Sequence, residues 1–174
     1  MSAEKLAKSL TLLLLAGGLV VIGTAWGYQL IGGYVPCKLC LEQRIPYYIG
    51  LPMTLVALAA LVTGRKGVAA ILLLAVAAVF AYGAGLGIYQ AGAEWQFWDG
   101  PNDCGGGTAA PASASNMLQA LQSTRVVSCT EASWRMLGLS FAGWNAVASA
   151  GLAGLGLLAA GILKFRVPMA KSPA

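Results

Sequence analysis

Four stretches of the chain, 9–37, 45–64, 67–93 and 136–163, carry no charged residue and consist mainly of Leu, Ala, Val, Gly and Ile. Each supplies the roughly 20 apolar residues needed to cross a hydrocarbon core of about 30 Å. Lipid offers no water to a backbone N–H or C=O, so such a segment must close its own hydrogen bonds as a helix. The pattern predicts an all-α, four-helix transmembrane bundle, one integral membrane domain over 1–174. Its spans are expected near 10–31, 45–63, 68–90 and 142–163, with outer loops near 32–44 and 94–135. The long loop lies between helices 3 and 4, and Thr63-Gly64-Arg65-Lys66-Gly67 is read as a tight inner turn.

Local signals refine the elements. Pro46 disfavours helical geometry at Ile45 and removes a backbone donor, so the second helix is expected to kink there or to begin there. Glycines four apart, Gly23/Gly27 and Gly83/Gly87, are expected to let neighbouring helices approach closely in lipid. In the long loop, Asp99-Gly100-Pro101-Asn102-Asp103 is a turn-forming run. Ser115-Asn116-Met117-Leu118-Gln119-Ala120-Leu121 could start a short helix with Met117, Leu118 and Leu121 on one face. That face would lie on the membrane surface or pack on the loop itself.

Composition points the same way. The 174 residues are 58% hydrophobic and 10% charged, with mean hydropathy +0.73. A soluble domain carries about 25% charged residues, so this chain lacks the polar groups to cover a water-facing surface. Its net charge of +5 forms no basic cluster with interleaved aromatics, and no nucleic-acid partner is predicted. Topology explains the charge instead. An even number of spans puts both termini and the Arg65-Lys66 turn on one side, together with Lys5, Lys8, Lys164, Arg166 and Lys171. Lys38, Arg44, Arg125 and Arg135 fall on the other side. The richer side is cytoplasmic by the positive-inside rule. Trp26, Trp95, Trp98, Trp134 and Trp144, with Tyr28, Tyr34, Tyr47 and Tyr48, fall near the opposite interface, where amphipathic rings prefer to sit. Lys5 and Lys8 precede the first apolar run as in a signal peptide. The run exceeds an h-region of about 7–15 residues and no small-x-small cleavage site follows, so the segment is expected to remain attached.

The candidate chemistry is carried by four cysteines in a chain with no histidine. Cys37-Lys38-Leu39-Cys40 sits at an outer membrane edge, and Cys104 and Cys129 lie in the long outer loop. On that side, in an oxidising compartment, disulfides persist. A disulfide closing so small a ring as Cys37/Cys40 braces little, whereas strained, exposed disulfides are the reducible ones. Nearby cations favour the reactive thiolate, and Lys38 and Arg44 are both close; on a continuous helix Arg44 would share the face of Cys40 and Cys37. A bridge between Cys104 and Cys129 could by itself be structural, contributing roughly 3–4 kcal/mol. Two pairs together suggest a relay, one pair meeting a soluble partner and the other a lipid-soluble acceptor. A c-type haem site would need His after the second cysteine, and position 41 is Leu. A four-cysteine metal site and a tetraspan scaffold braced by loop disulfides are the alternatives, and no metal ligand set is predicted.

The run Pro36-Cys37-Lys38-Leu39-Cys40-Leu41-Glu42-Gln43-Arg44, the later Cys104 and Cys129, and the four spans resemble the DsbB family of bacterial inner-membrane disulfide-forming proteins. Glu94-Trp95-Gln96-Phe97-Trp98-Asp99-Gly100-Pro101 and Cys129-Thr130-Glu131-Ala132-Ser133-Trp134 extend the likeness over about 5–165. The resemblance implies a protein dithiol:quinone oxidoreductase with four catalytic cysteines. Reduced DsbA, a periplasmic thioredoxin-like oxidase, would attack a Cys104–Cys129 disulfide and form its mixed disulfide with Cys104. Cys129 would pass electrons towards Cys37/Cys40. Cys40 and Arg44 would meet ubiquinone or menaquinone from the membrane pool. The vitamin K epoxide reductase type also couples thiols to quinones, but there the membrane-edge pair follows the loop cysteines in sequence. Here Cys37 and Cys40 come first.

Overall fold

The computed structural model describes residues 2–100, 125, 126, 132 and 134–166. Helix α1 spans Ala3–Leu30, α2 Lys38–Glu42, α3 Ile45–Val62, α4 Lys66–Glu94 and α5 Phe141–Arg166. Among the described residues, four helical segments are long and apolar enough to cross a membrane, with α2 and α3 together forming the second. Two short ladders accompany them. Strand β1 (Tyr34–Val35) pairs in parallel with β2 (Arg125–Val126), and β3 (Arg135–Met136) pairs antiparallel with β4 (Leu139–Ser140). The fold is the mostly helical membrane bundle that the hydrophobic pattern predicts.

Local chemistry sets the ends of the helices. Ser2 caps α1 by accepting the Lys5 N–H at 3.3 Å, which carries the helix upstream of its uncharged run. Glu4 then bonds Lys8 at 2.9 Å within α1 and Lys66 at 3.0 Å at the start of α4. At the end of α3, Arg65 N–H reaches Ala60 O at 2.8 Å and Gly64 N–H reaches Leu61 O at 3.3 Å, with Gly64 at φ +77. This pair of bonds satisfies the last carbonyls and reverses the chain within a few residues, making the tight turn between α3 and α4. Leu137 and Gly138 both have positive φ, the geometry of a two-residue hairpin turn between β3 and β4.

In cyclic order, α1 packs on α3 and α5, and α4 packs on the same two, with its larger interface against α5. One end of the core holds Ala7, Leu61, Leu73 and Leu163, and the middle holds Leu14, Leu51, Phe80 and Leu152. Leu12, Leu19, Leu55, Ile71 and Leu158 point outward and are more than half exposed, which is how a bundle meets lipid. Only one of the two glycine pairs works at a helix contact. Added Cβ atoms would meet Pro46 at Gly83, and the Ala146 N and Ala142 O of α5 at Gly87. Gly23 and Gly27 have nothing within 4 Å of such an atom, so the expected close packing there is not observed.

Candidate functional site

Cys37 and Cys40 bracket the first turn of α2. Cys37 is its N-cap, and its Sγ accepts the Cys40 N–H at 3.3 Å. Both residues are present as thiols, with their sulfurs 2.7 Å apart. Cys37 is fully buried and Cys40 partly buried. Gln43 and Arg44 keep right-handed helical dihedrals, but the i→i−4 ladder gives way there to a tighter turn, with Arg44 N–H bonding Leu41 O, before α3 begins. Pro46 occupies the first turn of α3, where its missing N–H leaves no helical bond unmade, so the longer, regular helix of the second span begins there with Pro46 in its first turn. Arg44 is the N-cap of α3 and Cys37 the extended N-cap of α2, so the three residues do not stand on one unbroken hydrogen-bonded helix. The turn nevertheless brings Arg44 and Cys40 to one cavity.

That cavity, about 360 Å³, lies between α1, the α2–α3 turn and α5, with α4 contributing Gln90. Its walls are mainly apolar and aromatic. Phe141 stands edge-on to Tyr28, with ring centroids 4.8 Å apart, and stacks on Trp134 at 5.0 Å. Arg44 is only 8% exposed. Its Nη1 donates to Gln29 Oε1 at 2.6 Å, its Nη2 to Ala25 O at 3.4 Å, and its guanidinium lies 5.2 Å over the Trp26 ring. All three contacts come from α1, so the cation is held across the cavity wall.

A chain of polar side chains crosses the same region. Tyr47 Oη donates to Asn145 Oδ1 at 2.8 Å, and Asn145 Nδ2 donates to Gln43 Oε1 at 2.6 Å. Gln43 Nε2 donates to Gln90 Oε1 at 2.5 Å. Gln90 Nε2 lies 3.6 Å from Cys40 Sγ, 4.0 Å from Cys37 Sγ and 3.2 Å from Glu94 Oε1. The amides thus tie the thiols to α4 and α5. None of Gln43, Gln90, Glu94 and Asn145 was among the candidate site residues, although Gln43 and Glu94 stand in the runs that carry the family resemblance. Their signal was the i,i+4 spacing of Gln43/Tyr47, Gln90/Glu94 and Asn145/Ser149 at the cysteine-bearing ends of apolar helices, where polar groups are costly and seldom idle.

Cys104 and Cys129 fall outside the described residues, as does the expected helix start at Ser115–Leu121. The pairing of Val35 with Val126 does bring a piece of the long loop beside the segment leading to Cys37.

A protein-family model described as Disulfide bond formation protein DsbB matches residues 7–159. Comparisons with curated proteins and with solved structures give no match.

Proposed function

The chain belongs to the DsbB family of disulfide bond formation proteins, and we propose that it reoxidises a DsbA-like periplasmic thiol oxidase and passes the electrons to membrane quinone. In this reading the protein sits in the bacterial inner membrane, with both termini cytoplasmic and both cysteine pairs periplasmic. Cys40 and Arg44 lining one apolar, aromatic cavity is the observation that carries the proposal. A quinone ring and its isoprenoid tail are apolar except for two carbonyl oxygens. The cavity suits such a group: its lining is mostly apolar, with Arg44 and the hydrogen-bonded amides of Gln43, Gln90 and Asn145 among its few polar members. Arg44 has five N–H donors, of which two are engaged with α1. Ubiquinone and menaquinone share these requirements, and either is accommodated by this reading.

The chain's own steps are thiol–disulfide exchanges. A partner thiolate attacks Cys104 in a Cys104–Cys129 disulfide, forming a partner–Cys104 bond and releasing Cys129 as thiolate. The second partner thiol then displaces Cys104, and the partner leaves oxidised. The reduced loop pair passes its two electrons on by the same exchange to a Cys37–Cys40 disulfide. Three residues from Val126 to Cys129 span at most about 10 Å, and Val35 is two residues before Cys37, which supports exchange between the pairs. When bound, quinone supplies a two-electron, two-proton acceptor for the Cys37/Cys40 dithiol. Arg44 orients it and offsets the negative charge that develops on its oxygens, and arginine stays charged in an apolar wall where lysine can lose its proton.

Purified protein given reduced DsbA-like oxidase and quinone should reduce the quinone, one equivalent for each partner disulfide formed. Each of the variants Cys37→Ser, Cys40→Ser, Cys104→Ser and Cys129→Ser should abolish turnover. Cys129→Ser should also accumulate a mixed disulfide between Cys104 and the partner. Full turnover by any of the four would exclude the relay.

A further inference from the structure

The polar chain beside the cavity has a direction. Tyr47 donates to Asn145, Asn145 to Gln43, and Gln43 to Gln90. A phenol has one hydrogen, so with Tyr47 donating to Asn145, Ser149 is the donor in its 3.0 Å contact with the Tyr47 oxygen. Each amide is oriented by the one before it, and Gln90 turns its Nε2 hydrogens toward two acceptors. One is Glu94 Oε1, and the other is the sulfur pair, Cys40 nearer than Cys37. Aligned hydrogen bonds polarise one another and favour negative charge at the accepting end.

They cannot favour two such charges equally. Sulfur and carboxylate flank one amide group, no more than about 7 Å apart, where little water screens their repulsion. Glu94 is 8% exposed, and its Oε2 has no hydrogen-bond partner among the described residues. The titratable or charged groups facing it are the two thiols of α2 and Arg135 of β3; Ser140 of β4 adds a neutral hydroxyl. Arg135 donates to the Glu94 backbone carbonyl at 3.3 Å and lies 5.6 Å over the Trp95 ring. No ion pair reaches the Glu94 carboxylate among the described residues.

We propose that Cys40 and Glu94 share a single negative charge through the Gln90 amide, Glu94 taking up a proton when the Cys40 thiol ionises. The S–H bond breaks and an O–H bond forms on the carboxyl. The charge moves from oxygen to sulfur, no electrons change hands, and the process reverses when Cys40 becomes a thiol or enters a disulfide. Glu94 is then a positioning residue that sets how much Cys40 thiolate is present, with Gln90 as the shared donor. The inference rests on the reading of Cys37/Cys40 as the pair that turns over, and it can fail while that reading stands.

The test uses the full chain in detergent without added quinone. Cys104 and Cys129 are changed to Ser, Cys37/Cys40 are reduced, and alkylation of Cys40 by iodoacetamide is followed at neutral pH. Glu94→Gln should speed the reaction about tenfold, because the thiolate no longer competes with a second anion. Glu94→Asp should stay near the parental rate, and Gln90→Ala should slow it. Reduced-minus-oxidised infrared spectra, taken where ultraviolet absorption reports the Cys40 thiolate, should gain a protonated carboxyl band that Glu94→Gln removes. A parental alkylation rate in Glu94→Gln overturns the proposal, and so does the absence of that band from the chain with Glu94 intact, a measurement that needs no further variant to fold. If the band is present but the wild-type protein fails to reduce quinone, the functional reading falls and the shared charge remains.

Discussion

At the scale of single residues, Arg44 separates a binding role from mere anchoring. An arginine that ties a helix to lipid headgroups extends its guanidinium to the interface and leaves it in water. Arg44 is buried, bonded to Gln29 and Ala25, and stacked on Trp26, in a wall it shares with Cys40. Arg44→Met should fold and insert normally but raise the apparent KM for quinone by about tenfold to a hundredfold, the effect of losing about 1.5–3 kcal/mol of charge-assisted hydrogen bonding. Steady-state kinetics with quinone varied will check this; normal kinetics with poor membrane insertion would reduce Arg44 to an anchor. Arg44→Lys should recover only part of the loss, since an ammonium keeps the charge but not the planar fork that bonds α1 at two points. The thiols and this cation were legible in the sequence because each is a rare chemistry at a membrane edge. Gln90 and Asn145 were not, because a neutral amide leaves an apolar run looking uninterrupted, and Gln43 is masked differently, by the charged Glu42 and Arg44 on either side. Only the fold shows that three amides from different helices meet.

Between elements, the decisive contact is the one that carries Gln90. That residue lies on α4 three positions after Gly87, and a Cβ at Gly87 would come within 2.8 Å of Ala146 N and 2.9 Å of Ala142 O on α5. Both are backbone atoms and cannot swing aside. Gly87→Val should therefore push α4 from α5, destabilising the bundle by about 1–3 kcal/mol and disturbing the amide chain even in molecules that fold. Gly85, two residues earlier, is open, so Gly85→Ala should be neutral or slightly stabilising. Thermal unfolding of both variants in detergent provides the comparison, and equal stabilities would remove the close approach as an explanation. Helix number and order follow directly from the uncharged runs, because lipid leaves the backbone no other solution. Register is less legible: Gly23/Gly27 and Gly83/Gly87 share one spacing, yet the first pair faces open space. Spacing identifies a helix face without identifying what it meets. The break at Gln43–Arg44 has a similar origin, since Pro46 signals a boundary but not how tightly the chain turns before it.

On the scale of the whole molecule, sidedness decides which compartment the cysteines serve. Seven of the eleven Lys and Arg residues belong to the termini and the inner turn. Glu4 joins that end in space by bonding Lys8 of α1 and Lys66 of α4. Surface pairs like these, partly open to solvent, contribute only about 0–1 kcal/mol each, so their value here is as markers that the N-terminal segment and the α3–α4 turn lie together. The aromatic rings gather at the other end, where Tyr28, Tyr34, Trp134 and Phe141 form one cluster and Trp98 stacks on Tyr89. An oxidase for periplasmic thiols needs its cysteines on that aromatic side, because glutathione and thioredoxin keep thiols reduced in the cytoplasm. After reduction, membrane-impermeant thiol reagents should therefore label Cys104 and Cys129 in intact spheroplasts, without opening the membrane. Buried Cys37 should react far more slowly under the same conditions, which separates access to the compartment from access to the site. Labelling of the loop pair only after lysis would invert the topology. It would also place both cysteine pairs in a reducing compartment, where a relay feeding disulfides to secreted proteins has no substrate.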